Sequence, residues 1–132
     1  MNYRLDKYIK LKFLKISEDL VKNPGGLKVR LSKAREKMNK ENVKDALGTY
    51  LDDLKLFVRM ISAWITRKYT NLSNESLVYT VLAIIYFVTP TDFVPDFILG
   101  LGFVDDITVI AWVMDKIKTD IEEFKKWESE IH

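Results

Sequence analysis

The sequence contains no cysteine, and its single histidine is the last residue, His132. The first absence excludes disulfides, zinc–thiolate sites and cysteine nucleophiles. The second leaves a Ser-His-Asp triad or a histidine metal site without its central residue, because chain ends are usually frayed. We therefore assign no catalytic and no cofactor-binding residue, and the sequence favours a protein without enzymatic activity.

Proline and glycine are also scarce, with three and five respectively among 132 residues. So few helix breakers predict long helices, and this length suits one domain, residues 1–132. A signal peptide is not apparent, since lysines interrupt the apolar residues of the segment 1–22. A cytoplasmic location is therefore expected. Peripheral or integral association with a membrane is the further option.

Positive charge is concentrated at the start of the chain. Residues 1–40 carry 12 Lys and Arg against 4 Asp and Glu, whereas residues 41–132 carry 9 against 15. Such a basic arm fits a solvated helix face, an anionic membrane surface or the acidic part of this or another molecule. Nucleic acid is disfavoured as a partner, because the arm has no interleaved aromatic platform beyond Tyr3, Tyr8 and Phe13.

Apolar residues recur at helical spacing along most of the chain, which predicts an all-α fold. We expect one small bundle of about five helices, with a Pro/Asp/Gly-rich turn between the two C-terminal helices. The apolar stripes cover residues 5–20, 27–38, 43–65, 77–88 and 107–124. This pattern divides the domain into a basic helical arm, 1–40, and a helical core, 43–128, that contains the passage 89–106.

The two helices of the arm each allow two interpretations. The first is amphipathic, so it either packs on its own bundle or inserts Phe13, Leu14 and Ile16 into a membrane interface between flanking lysines. The second has an apolar seam at 4-3-4 spacing that needs a partner, either within the domain or in another copy. The latter arrangement is a homodimer. The seam consists of Leu27, Leu31, Ala34 and Met38.

Two further helices are predicted before the turn. Asn42 is expected to cap a long helix that continues to about Tyr69 and passes Gly48 without a break. Ser73 or Asn74 is expected to cap the next one, which is apolar nearly all round. Its uncharged run, 76–91, has 16 residues, fewer than the roughly 20 that span a bilayer. We interpret it as the core helix.

No lysine or arginine occurs between Tyr69 and Asp115, yet four carboxylates lie in one short, otherwise apolar passage. They are Asp92, Asp96, Asp105 and Asp106. A carboxylate in apolar surroundings must be paired, capped, metal-bound or protonated. Thr89, Pro90 and Pro95 are residues typical of helix starts, where aspartate interacts favourably with the helix dipole. Helix capping therefore accounts for all four carboxylates.

A second interpretation brings the four aspartates together. Asp92 and Asp96 share a face if one helical turn joins them, and Gly100 and Gly102 permit a reversal that returns the later pair toward them. Mg²⁺ or Ca²⁺ would relieve the repulsion, which predicts a divalent-cation site or a metal-dependent hydrolase. Arg59 or Arg67 would relieve it without metal.

The passage reads T-P-T-D-F-V-P-D at 89–96 and G-F-V-D-D at 102–106. It resembles the signature of the YkvA-like family, a small bacterial domain of unknown function. Thr89 stands at the signature's hydroxyl position, and the four aspartates stand at its acidic positions. Leu99 replaces a proline that is frequent in the family. The resemblance covers about residues 75–115.

This resemblance implies a small helical domain without an established activity, cofactor or substrate. It also implies membrane association, since relatives are often described in that way because of the apolar helix. Together with the long amphipathic helices, it favours a non-enzymatic interaction or scaffold module, in contact with an unidentified protein partner or a membrane surface. Divalent-cation binding or hydrolysis through the aspartates is the alternative.

Overall fold

A computed structural model describes the backbone of residues 3–88 and 103–131, and the side chains of residues 11–88 and 107–131. Within these ranges the chain forms seven α-helices and no strand. They are α1 (Tyr3–Val21), α2 (Pro24–Met38), α3 (Glu41–Leu47), α4 (Tyr50–Ile65), α5 (Asn74–Val88), α6 (Phe103–Lys116) and α7 (Lys118–Ile131). The all-α prediction is confirmed, whereas the number of helices was underestimated because two predicted helices are each divided.

The first division lies at Gly48. Its φ of 55° and ψ of −128° end α3 and redirect the chain into α4. Glycine adopts such a conformation without the penalty that a Cβ imposes, so the prediction that this helix continues unbroken is wrong. The predicted cap is wrong as well. Asn42 lies inside α3, and Lys40 precedes the helix without a side-chain capping bond.

The second division lies at Ile117, between α6 and α7, and involves neither glycine nor proline. The Ile117 N–H donates to the Val113 carbonyl over 3.0 Å, and the Ile121 N–H donates to the Ile117 carbonyl over 3.1 Å. Ile117 and Ile121 are both buried. The apolar register therefore continues across the division. As a consequence, the passage 89–106 follows α5 and ends within the first turn of α6, so the prediction that it lies between the last two helices is wrong.

Helix α5 is the central element of the bundle and packs against α1, α2, α4 and α6. Eleven of its fifteen residues are buried, which confirms the prediction of a core helix. The buried Thr80 hydroxyl donates to the Ser76 carbonyl over 2.6 Å, so its polar group is satisfied inside the core. No helix in the described ranges has the length and apolarity needed to cross a membrane.

The first helix packs on its own bundle. Phe13 is fully buried, and its ring lies 5.2 Å from that of Tyr86 on α5. Leu14 and Ile16 are half-buried against the same core. The bundle interpretation of α1 is therefore confirmed, and Phe13 is not available for insertion into a membrane.

The seam of α2 also faces the interior of the chain, against α4 and α5. Its four residues are at most 5% exposed: Leu27, Leu31, Ala34 and Met38. Asn23 caps this helix, since its Oδ1 accepts the Gly26 N–H over 3.1 Å. Of the two partners considered for the seam, the structure shows the one within the domain. Homodimerisation stays a prediction, without this seam as its interface.

Candidate functional site

The aspartate passage connects two neighbouring helices in the chain. Helix α5 ends at Val88, helix α6 begins at Phe103, and the two helices pack on each other. The residues between them, 89–102, lie outside the described ranges. They include six of the signature positions: Thr89, Pro90, Asp92, Pro95, Asp96 and Gly102.

Asp105 and Asp106 are the third and fourth residues of α6. The prediction that they begin a helix is confirmed for the backbone, and the positive end of a helix dipole stabilises carboxylates there. Their side chains lie outside the described residues. The metal site predicted for Asp92, Asp96, Asp105 and Asp106 therefore stays a prediction.

A cation from the basic arm contacts the end of α5, close to where this passage begins in the sequence. The Lys37 ammonium on α2 donates to the Phe87 carbonyl over 2.6 Å and lies 4.7 Å from the centre of the Phe87 ring. Phe87 is the penultimate residue of α5, where carbonyls lack partners within the helix. A positive charge is also favourable at this end of the helix dipole. Lys37 thus joins the basic arm to the end of α5, a contact that the local sequence did not predict.

Of the two arginines considered as partners of the aspartates, Arg59 has a partner among the described residues, and the pairing of Arg67 stays a prediction. The guanidinium of Arg59 on α4 binds both carboxylate oxygens of Glu128 on α7, over 2.8 and 3.2 Å. This bidentate pair ties α4 to α7. Arg67 is exposed and follows α4 with a φ of 61°. Arg59 is therefore used to hold the bundle together.

A polar cluster lies at the opposite end of α5. Ser73 caps the helix, as predicted, by accepting the Ser76 N–H over 3.1 Å. The Ser73 N–H and hydroxyl donate to Oδ2 of Asp120 over 3.3 and 3.1 Å, and the Ser76 hydroxyl donates to the same oxygen. One carboxylate of α7 thereby anchors the start of α5. Sequence reasoning missed this contact, because nothing local to Asp120 indicates its partners.

An open cavity of about 270 Å³ adjoins this cluster. At the edge of the cavity, Nζ of Lys116 lies 4.0 Å from Oε1 of Glu75 and 5.2 Å from the centre of the Tyr79 ring. The hydroxyls of Ser73 and Ser76 donate to the Asp120 carboxylate, and both hydrogen bonds connect the start of α5 to α7. The cluster is therefore a joint between helices, in which Oδ2 of Asp120 accepts from the N–H and hydroxyl of Ser73 and from the hydroxyl of Ser76.

Cations dominate the outer surface of α2. Residues 24–40 contain six Lys and Arg against one acidic residue, Glu36. Besides Lys37, five cations make no ion pair within the part of the chain that the structure describes. We define the α2 basic face as these five cations together with Val29, which is 53% exposed. The cations are Lys28, Arg30, Lys33, Arg35 and Lys40.

Comparison with known proteins identifies the family. The chain is 34% identical over 77 residues to the uncharacterized membrane protein YkvA of Bacillus subtilis (strain 168), covering 58% of this chain and 73% of that protein. The chain belongs to the YkvA-like family. A family model described as a protein of unknown function, DUF1232, matches residues 76–112. No solved structure matches the chain.

The match to the DUF1232 family model runs from the core helix α5 through the aspartate passage and into α6. It confirms the family resemblance found in the sequence. The matched residues leave out α1 to α4, so the model match itself carries no information about the α2 basic face.

Proposed function

We propose that this YkvA-like protein is a non-enzymatic interaction module that docks at the surface of a membrane. The α2 basic face is the observation that carries the proposal. Four of its cations are exposed, namely Lys28, Lys33, Arg35 and Lys40. Anionic lipid surfaces attract such clusters with about 1 kcal/mol for each Lys or Arg near the surface.

The packing of α5 supports docking from outside the bilayer. The apolar surface of this helix is covered by α1, α2, α4 and α6 of the same chain. Contact with lipid is therefore expected at the outer surfaces of the bundle. Two large apolar side chains are exposed among the described residues of the arm, 11–40. Leu11 on α1 is 58% exposed and Val29 on α2 is 53% exposed. Shallow apolar contacts of this kind add to electrostatic attraction at a membrane interface.

The comparison with known proteins gives further support. The similar Bacillus subtilis protein is named a membrane protein. For the present chain, the non-enzymatic part of the proposal is supported by the polar cluster around Asp120, whose hydroxyls serve to join α5 to α7.

Co-flotation of the full chain with lipid vesicles tests the proposal. Vesicles of phosphatidylcholine with about 30% phosphatidylglycerol are compared with pure phosphatidylcholine at low and high salt. The protein is expected to float only with the anionic vesicles, and less so near 1 M salt, where the Debye length falls to about 3 Å. Absence of flotation with anionic vesicles at low salt would refute the proposal. Flotation that resists high salt would instead indicate insertion into the bilayer.

A further inference from the structure

We infer that the α2 basic face is the surface that binds anionic phospholipid headgroups, and that α1 does not insert Phe13, Leu14 and Ile16 into the membrane. This inference rests on the proposed membrane-surface function and assigns the contact to particular side chains. Phe13 of α1 is fully buried. The contact with lipid is therefore assigned to the outward side of α2.

The register of α2 determines which residues face outward. Because the seam residues are buried in the bundle, the opposite side of the helix points away from it. Val29 and Lys33 lie four residues apart on that side, with Lys40 beyond the helix end. Lys28 and Arg35, one heptad apart, flank them. The cations thus surround an exposed apolar side chain over the length of the helix.

The helix is held rigidly before any lipid binds. Its seam is buried, Asn23 caps its beginning, and Lys37 near its end donates to the Phe87 carbonyl of α5. Ordering of a backbone segment is therefore not required on binding, which removes one of the main entropic costs of association. Only the long cationic side chains have to rearrange. Lysine and arginine do this readily, since their stems cover apolar surface while their charges reach the headgroups.

The composition of the face favours lipid over nucleic acid. Helix α2 contains no aromatic residue, so it offers no platform on which unpaired bases stack. Val29, exposed among the cations, gains free energy from an acyl-chain boundary, whereas a phosphate backbone offers it no apolar partner. The cations are spread along the helix instead of converging on one point. That arrangement suits a plane of many charges better than a single bound anion.

Two charge-matched variants of the full chain test the inference. The face variant replaces Lys28, Lys33, Arg35 and Lys40 with glutamine. The control variant replaces four exposed lysines of other helices and loops with glutamine, namely Lys55, Lys68, Lys118 and Lys126. Both variants have a formal net charge of −2, four below the wild-type value of +2. Arg30 is kept because its stem is half-buried. Circular dichroism and thermal unfolding verify that both variants retain the fold.

Partitioning onto anionic vesicles is measured at low salt for each protein. The face variant is expected to bind about a hundredfold more weakly or worse, since each lost cation lowers partitioning about fivefold. The control variant is expected to stay within about tenfold of the wild type. Equal losses in both variants would overturn the inference while the membrane-surface function stands. Wild-type protein that does not bind at all would refute that function itself.

A gain of binding provides a measurement that misfolding cannot imitate. Glu36 is the one acidic residue of α2 and is exposed. Glu36→Gln is expected to strengthen partitioning about fivefold, whereas Glu122→Gln, an exposed position on α7, is expected to have little effect. An equal gain from both changes would contradict the inference. Tighter binding of labelled 20-base-pair DNA than of vesicles, lost in the face variant, would reassign the face to nucleic acid.

Discussion

Lys37 differs from the other cations of α2 in having a partner inside the bundle. Its ammonium donates to the Phe87 carbonyl over 2.6 Å, and charge-assisted hydrogen bonds contribute about 1.5–3 kcal/mol. Lys37→Met retains the apolar stem and removes the donor. We expect it to lower the free energy of unfolding by about 1–3 kcal/mol in urea titrations.

Lys33→Met provides the control for this prediction. Lys33 lies one turn earlier on α2 and is exposed, so its replacement is expected to change stability by less than about 0.5 kcal/mol. Similar losses from both substitutions would show that Lys37 contributes through helix propensity or general charge and not through the Phe87 carbonyl.

Asp53 gives a prediction about pH. Burial raises the pKa of its carboxyl, Lys125 opposes this change, and Asp52 adds to it. The folded chain therefore keeps the proton to a higher pH than the unfolded chain, so stability falls as the pH rises from about 4 through the raised pKa. The loss persists at neutral pH. Asp53→Asn removes the ionisation, and its thermal midpoint at pH 7 is expected to exceed that of the wild type.

The advantage of Asp53→Asn should shrink as the pH falls through the raised pKa and below about 4, since the wild-type carboxyl then becomes protonated in the unfolded as well as the folded state. Asp52→Asn serves as the comparison, because Asp52 lies on the same first turn of α4 but is exposed. It is expected to lose a little stability by weakening the interaction with the helix dipole. A lower midpoint for Asp53→Asn at pH 7 would mean that the dipole and Lys125 outweigh burial.

At the scale of elements, Gly48 determines where α3 and α4 separate. A Cβ added at this position has nothing within 4 Å, yet the φ of 55° is one that L residues rarely adopt. Gly48→Ala therefore tests backbone conformation without a steric clash. We expect a loss of about 1–3 kcal/mol in the free energy of unfolding.

Gly25→Ala provides a matched comparison within the first turn of α2. A Cβ there has an ordinary contact, 3.7 Å from Oδ1 of Asn23. Because this residue is helical, alanine is expected to stabilise the chain by about 0.4–1 kcal/mol through the unfolded state. An unchanged stability for Gly48→Ala would show that the separation of α3 and α4 does not depend on glycine.

These elements also show how far helical periodicity is informative. The seam of α2 and the apolarity of α5 predicted which sides are buried, and the structure confirms both. Periodicity reports the buried side but not the direction of the helix axis. The division at Ile117 keeps the apolar register, so no pattern marked it. Gly48 was visible in the sequence, but its φ depends on how α3 and α4 pack.

At the scale of the whole molecule, the candidate site was predictable in its composition but not in its placement. The excess of cations in residues 1–40 is evident from the sequence. Which cations face outward and which one reaches α5 depends on the packing of α2, and this distinguishes Lys33 from Lys37. The residues on which the family resemblance was based were likewise readable in the sequence. The geometry of Asp92 and Asp96 lies outside the described residues.

The division of the single domain into a basic arm, 1–40, and a helical core, 43–128, stays a prediction, and truncation tests whether the core depends on the arm. In the whole chain, Phe13 and the α2 seam belong to the same buried cluster as α5. Burial of each large apolar side chain contributes about 1.5–3 kcal/mol, so four of them match the total stability of a typical domain, about 5–15 kcal/mol. Residues 41–132 alone also have an excess of acidic charge, 15 Asp and Glu against 9 Lys and Arg.

We therefore expect the fragment 41–132 to lose cooperative unfolding and to bind the dye ANS strongly, as partly folded chains with exposed apolar surface do. Addition of a peptide comprising residues 1–40 should lower the dye fluorescence, because α1 and α2 cover α5 in the intact chain. A peptide with Phe13→Ala and Leu31→Ala should restore less, since both side chains are buried. If the fragment instead unfolds cooperatively with no more dye bound than the full chain, α3 to α7 are an independent core. The arm is then an attachment whose role is binding, not folding.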